Sequence, residues 1–120
     1  MIDLRDRLRE FVDERDWQQF HTPKNLAMAL AGEAAEIMEI FQWLTPEQSA
    51  HLPEEKMTEI RDEIGDVLIY LVRLADQLGI DPMEAANQKM EKNRKKYPAH
   101  LVRGRADKYT AYQQSPEDQK

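Results

Sequence analysis

The sequence predicts an all-α protein built on four helices, and three observations carry that expectation. Apolar residues recur at three- and four-residue spacing over several long stretches. Runs of alternating β-branched residues, the mark of half-buried strands, do not occur. The stretches are separated by prolines and polar turns, and the chain contains only four glycines. At 120 residues the chain fits one domain. That is long enough to bury a core, yet short enough that a core shared between subunits would help it, so an oligomer is expected.

The first helix is read from about Leu4 to Glu14, with Leu4, Leu8, Phe11 and Val12 on one side. It ends before a loop, Trp17-Gln18-Gln19-Phe20-His21. Thr22 is an N-cap candidate and Pro23 suits the first helical position, which opens a second helix running to about Trp43 or Leu44. Thr45-Pro46 is expected to stop it. A polar linker from Glu47 to Pro53 leads to the longest helix, about Glu55 to Leu78, which Gly79 closes. Asp81-Pro82 caps a fourth helix running to about Lys96, ahead of Tyr97-Pro98. Its far half is dominated by Lys89, Lys92, Arg94, Lys95 and Lys96. Residues 1–110 are taken as the folded domain and 111–120 as a polar tail.

Composition excludes several classes of function. A net charge of −6 argues against a general electrostatic grip on DNA or RNA. The absence of cysteine removes disulfides, thiolate metal sites and cysteine nucleophiles. The N-terminus is charged from Asp3 onward and lacks the apolar core of a signal peptide, and no apolar run approaches the roughly 20 residues that span a bilayer. No membrane association and a cytoplasmic location are the expectation.

Sorting the helices into stripes brings out two acidic pairs. On the second helix Leu26, Leu30, Ala34, Ile37, Phe41 and Leu44 form a core stripe, and Glu33, Glu36, Ile40 and Trp43 form another beside it. On the third, Ile60, Ile64, Val67, Leu71, Leu74 and Leu78 form the core stripe, with Glu59, Asp62, Glu63, Asp66 and Tyr70 alongside. If the two helices pack antiparallel with these faces opposed, four carboxylates surround a small space. Two unit charges about 4 Å apart at an effective dielectric of about 20 repel by roughly 4 kcal/mol, so such a cluster must protonate or bind cations. An all-oxygen donor set suits Mg²⁺ or Mn²⁺, which leave positions open for substrate phosphates. In a chain with 23 acidic residues an isolated E-x-x-E usually marks a solvated helix face. It is the pairing of two such motifs, each with an aromatic on its face, that singles these out. A di-iron bundle would need Glu-x-x-His pairs, which the three histidines do not supply.

Trp17, His21, Trp43 and Tyr70 are the candidates for holding a flat base, although an indole on an amphipathic helix is more often core. Phe11, Phe20 and Phe41 are assigned to the core. Lys89 and Asn93, one turn apart on the fourth helix, are candidates to meet phosphate charge, against the plainer reading of a solvated basic helix end. No Ser/His/Asp arrangement or glycine-rich phosphate loop is found.

Glu33-Ala34-Ala35-Glu36 followed by Glu63-Ile64-Gly65-Asp66 resembles the signature of the MazG-like all-α nucleoside triphosphate pyrophosphohydrolases. Glu14-Arg15-Asp16-Trp17, Gln19-Phe20-His21, Phe41-Gln42-Trp43, Asp66 through Leu71, and Tyr97 through Leu101 resemble the dCTP pyrophosphatase branch of that superfamily. The resemblance implies a four-helix MazG-like bundle. It implies hydrolysis of a deoxynucleoside triphosphate, dCTP or a modified dCTP first, to the monophosphate and pyrophosphate, as nucleotide-pool house-cleaning. It places Mg²⁺ on Glu33, Glu36, Glu63 and Asp66, and Trp17, Gln18, Gln19, Phe20, His21, Trp43 and Tyr70 around base and sugar, with Lys89 and Asn93 approaching from the fourth helix. It also implies a homotetramer, a dimer of dimers, whose sites take residues from more than one subunit. One departure stands out: animal-type members carry a histidine nine residues before the Trp17 equivalent, where this chain has Leu8.

The expected mechanism is in-line attack of a metal-activated water on phosphorus, with Glu36 or Glu63 receiving the proton. Two other readings stay open at this level. One is a pyrophosphohydrolase for another nucleotide, such as dUTP or an oxidised purine. The other is a helical nucleotide-binding or interaction module without turnover.

Overall fold

The computed structural model describes residues 1–104. These are helical apart from turns and short connections, with no strand among the described residues. The helices are α1 (Ile2–Glu14), α2 (Pro23–Phe41), α3 (Pro46–Ser49), α4 (Glu54–Gln77), α5 (Pro82–Lys96) and α6 (Ala99–Val102), with one 3₁₀ turn at Gln18–Phe20. The described residues fall into two compact units, one of Met1–Pro82 and a second that begins at Met83. The expected tail, residues 111–120, lies outside the described residues.

The first unit holds α1 to α4. Thr22 caps α2 as its type suggests: its side-chain oxygen accepts from the Asn25 backbone N–H at 3.1 Å, and Pro23 occupies the first turn. α2 stops at Phe41, earlier than the apolar spacing suggested, so Trp43 and Leu44 leave the helix. Thr45-Pro46 does more than end α2. Thr45 and Gln48 form a reciprocal capping box that starts the single-turn α3. Gly79, at φ 68°, supplies the left-handed residue that ends α4, and the chain folds back so that Ile80 N–H reaches the Ala75 carbonyl at 2.8 Å.

α4 packs against both α2 and α1. Its residues meet those of α2 in opposite order: Glu63 lies with Glu33 and Glu36, whereas Lys56 and Glu59 share a shallow depression with Glu39 and Ile40. The two helices therefore run antiparallel. The same reasoning makes α1 antiparallel to α4, because Met1 and Ile2 lie with Gly79 to Pro82 and Phe11 and Val12 with Asp66 and Ile69. Val12, Leu26, Ile60, Val72 and Ala75 are buried at these contacts. Full burial of a Val, Leu or Ile side chain stabilises by roughly 1.5–3 kcal/mol, and the Ala75 methyl by less.

The core differs from the single stripe read on α4. Ile64, Leu71 and Leu78 are exposed, and on α2 so is Ala34. The reason is that α4 serves two partners on two faces. Ile60, Glu63 and Val67 belong to the face turned to α2, while Ile69, Val72, Arg73 and Asp76 turn to α1 about half a revolution away. The third side, with Ile64, Leu68 and Leu71, is left to solvent, as are Met28 and Met38 on α2. Phe11 and Phe20, expected in the core, are exposed as well. Phe11 is held from outside by Trp17, edge-on at 5.8 Å, and by the Arg15 guanidinium 3.7 Å above its ring.

In the second unit α5 carries Arg94, Lys95 and Lys96 in its last turn, where the helix dipole favours cations. Tyr97 N–H closes it on the Asn93 carbonyl at 2.8 Å, and α6 follows directly after Pro98. No helix among the described residues is long and apolar enough to cross a membrane.

Candidate functional site

The antiparallel pairing of α2 and α4 brings Glu33, Glu36 and Glu63 together, each with a carboxylate oxygen within 4.8 Å of the others. Glu33 and Glu36 are three residues apart on one helix face, so a single residue across the groove reaches both. One oxygen of Glu33 and one of Glu63 are buried without a hydrogen-bond partner. Leaving a charged acceptor buried and unmatched is costly, which favours the protonated form of the carboxyl. Hydrogen bonding to Glu33 and then to Glu36, with burial and their negative charge, pushes Glu63 up to about 8. Glu33 is raised too: its hydrogen bond with Glu63 pulls it down, but burial, then hydrogen bonding to Glu36 and the charges of Glu36 and Asp66, outweigh that. A divalent cation answers the same need. The donors are all hard oxygens, two of them buried and unmatched, which fits Mg²⁺ or Mn²⁺ and not a thiolate- or imidazole-seeking ion.

Asp66, the fourth expected ligand, stands outside the trio of converging oxygens. One turn beyond Glu63, it acts on Glu33 through its charge and lines the neighbouring cavity. That cavity, about 410 Å³, lies between α1 and α4 and is within the range of small-ligand pockets, roughly 300–1,000 Å³. Leu4, Leu8, Phe11, Val12 and Ile69 form its apolar walls, Trp17, His21 and Tyr70 contribute aromatic rings, and Arg7 and Arg73 add cations. Leu8, where the resemblance marked a missing histidine, is one of the apolar walls.

Trp17 reaches this position through the turn after α1. Asp16 adopts φ 52°, a conformation that Asp tolerates better than most residues, and Trp17 N–H then bonds the Val12 carbonyl at 3.0 Å. Gln18, Gln19 and Phe20 form the 3₁₀ turn and do not line the cavity. Gln18 donates to Asp13, Gln19 donates to the Asp16 carbonyl at 3.0 Å, and Phe20 is 59% exposed. Trp43 stands apart from the cavity, 86% exposed. Lys89 and Asn93 belong to the second unit, where Lys89 is exposed and Asn93 half-buried.

Sequence reasoning passed over Arg73, Asp76 and Arg9. Arg73 is 3% exposed; its Nε donates to His21 Nδ1 at 3.2 Å and its Nη1 to Asp76 at 3.4 Å. Asp76 in turn accepts two bonds from Arg9 of α1, at 2.5 and 2.8 Å. The hydrogen bonds from Arg9, with the charges of Arg9 and Arg73, hold the Asp76 carboxyl below its ordinary range. Burial, then the charge of Arg73, pushes His21 down, which keeps its imidazole neutral. The signal was present: Arg73 is the one charge between Val67 and Ala75, an otherwise apolar run apart from Tyr70.

Three glutamates gathered across two antiparallel helices, beside an aromatic cavity, define an all-α acidic-cluster protein, and residues 29–111 match a sequence model of the MazG-like family. The chain belongs to that family. It is 48% identical over 111 residues to dCTP pyrophosphatase 1 of Mus musculus and 47% to that of Homo sapiens, in each case covering 90% of this chain. The chain spans 65% of the length of those mammalian relatives. A crystal structure of a pyrophosphatase from Archaeoglobus fulgidus superposes with a TM-score of 0.78 at 49% identity, covering 82% of this chain and 92% of that one.

Proposed function

We propose that this chain hydrolyses a deoxynucleoside triphosphate, with dCTP or a modified dCTP as the leading substrate, to the monophosphate and pyrophosphate. The observation that carries the reading is the convergence of Glu33, Glu36 and Glu63, with two buried oxygens unmatched, beside a ligand-sized aromatic cavity. The names of the mammalian relatives and of the Archaeoglobus protein support the same class of reaction.

In this reading Glu33, Glu36, Glu63 and Asp66 hold Mg²⁺. The ion would neutralise phosphate charge and lower the pKa of a bound water. Trp17 and Tyr70 offer ring faces to the base, and Leu4, Leu8 and Ile69 exclude water around it. Asp66 belongs to both places, so the phosphates lie at the carboxylates and the base in the cavity. Glu63 or Glu36 takes the proton of the attacking water. Gln18, Gln19 and Phe20 are assigned to the substrate through the resemblance.

The protein acts as a homo-oligomer, a dimer of dimers. Supporting this, Met28 and Met38 on α2 and Ile64, Leu68 and Leu71 on α4 leave apolar surface exposed on two neighbouring helices. An indole 86% exposed, as in Trp43, is what a residue lent to a partner's site looks like alone.

The test is an assay of canonical and modified nucleoside triphosphates with Mg²⁺ and with chelator, measuring monophosphate and pyrophosphate. Metal-dependent release of both in equal amounts is expected. Release of orthophosphate instead, or turnover untouched by chelator, would overturn the proposal.

A further inference from the structure

We infer that Arg73 is a specificity-determining residue of the aromatic cavity, which it equips to take a base through a carbonyl-bearing edge. The inference rests on the proposed function in treating that cavity as the base pocket.

Arg73 lines the cavity and is 3% exposed. Two of its nitrogens are engaged, Nε with His21 and Nη1 with Asp76, while Nη2 is buried and has no acceptor. Asp76 cannot neutralise it fully, because the same carboxylate binds Arg9 more closely, at 2.5 and 2.8 Å. Asp6 is shared in turn between Arg5 and Arg9, and the Arg5 charge also reaches Asp76, so three guanidinium groups share two carboxylates, and Arg73, a lining residue of the cavity, keeps one N–H without an acceptor. A buried donor left unmatched is costly, more so on a charged group, and an acceptor brought into the cavity would relieve it.

Arg73 also sets what its neighbour can do. A guanidinium only donates, so His21 Nδ1 must accept the Nε bond, and the imidazole proton then sits on Nε2. Arg73 and His21 thus both present donors to a ligand, and most of the surrounding wall, including Leu8 and Ile69, is apolar. Asp66, the carboxylate that also lines the cavity, is committed to the cation in the proposed function. Cytosine, uracil, thymine and guanine carry a carbonyl oxygen that such a wall can bind. Adenine offers ring nitrogens and an amine but no carbonyl. A site built to hydrogen-bond a particular group discriminates strongly against analogues that lack it.

The test measures binding separately from turnover. The α,β-imido analogues of dCTP and dATP are titrated with Mg²⁺ into the full chain and into Arg73→Met by calorimetry, alongside hydrolysis of dCTP itself. The unmodified chain should bind the dCTP analogue at least about tenfold more tightly than the dATP analogue, the size of a lost hydrogen bond to a charged donor. In Arg73→Met the ratio should fall to within about threefold, chiefly by weakening the dCTP analogue. A residue that merely supports the fold would weaken both analogues alike. Should Arg73→Met not fold, Arg73→Lys is read the same way: it keeps the buried charge against Asp76 but cannot bond His21 and a ligand together. Selectivity that disappears with Arg73 supports the inference even if dCTP is not hydrolysed, in which case the proposed function fails alone. Hydrolysis of dCTP with the ratio unchanged in the variant overturns the inference and leaves the function standing. Equal binding of both analogues by the unmodified chain, or binding of neither, overturns the inference as well.

Discussion

Mg²⁺ binding should release a proton in a pH range where ordinary carboxylates release none. Glu63 is held at about 8 by its contact with Glu33 and then Glu36, so at pH 7 it is protonated in most free molecules. A ligand carboxylate must be deprotonated, so the ion displaces that proton. For a single group at about 8, the Glu63 share is roughly 0.9 proton per ion at pH 7, 0.5 at pH 8 and 0.1 at pH 9. The apparent Mg²⁺ affinity should correspondingly rise with pH below 8 and level off above it. Calorimetric titration with Mg²⁺ in buffers of different ionisation enthalpy counts the protons directly. The metal-free protein gives an independent reading. Because the folded value lies above the ordinary 4.5, the folded state holds a proton between about 4.5 and 8 that the unfolded chain has lost. Stability from this group is therefore full below the lower value and is lost as pH rises through 8. Glu63→Gln removes that dependence, so its melting temperature minus that of the unmodified protein should increase from pH 5 to pH 9 without metal. A proton count near zero at pH 7, with a melting difference flat across that range, would refute the account of these carboxylates.

Three further outcomes follow from packing and charge. Leu26→Ala, at a side chain 1% exposed, should cost about 2–5 kcal/mol in urea denaturation, whereas Met28→Ala, 64% exposed on the far side of α2, should cost well under 1 kcal/mol. Asp76→Ala leaves Arg73 buried beside Arg9 without a carboxylate and should lose on the order of 3 kcal/mol. The Asp76 carboxyl lies below its ordinary 3.8, so its contribution is present above that value and disappears as pH falls through the folded one; acid unfolding of Asp76→Asn should show a weaker pH dependence there. Ile64→Lys combined with Leu71→Lys charges the exposed face of α4, and light scattering should report a smaller assembly with the helical circular dichroism retained.

Much of this protein can be read along its chain, because much of it is local. The long helices among the described residues, α1, α2, α4 and α5, fall within a few residues of the expected bounds. Their ends are written in residues whose side chains or conformations act at short range: Thr22-Pro23 at the start of α2, and Gly79 at the end of α4. Thr45-Pro46 was legible as a break but not as the capping box of a further turn, which depends on Gln48 folding back. The convergence of Glu33 and Glu36 with Glu63 was also open to inspection, since helical periodicity fixes which residues share a face and antiparallel pairing brings two faces together.

Periodicity says that α4 has apolar sides; it does not say which neighbour takes which side. A helix that meets α2 on one face and α1 on another cannot be described by one stripe, which is why Ile64, Leu71 and Leu78 lie at the surface. Arg73 shows the same limit at the site. In sequence it is a charge within an apolar stretch. Only when Arg9 arrives from α1 and His21 from the loop before α2 does it become a clamped, partly unmatched cation at the wall of a cavity. The sequence by itself determined the helices, their caps and the acid pairs, because those are set by groups three or four residues apart. The tertiary structure decided which faces are buried, how the cavity is walled, and which carboxyls are forced to keep their protons. Those depend on distances between residues far apart in the chain, and on water excluded from between them.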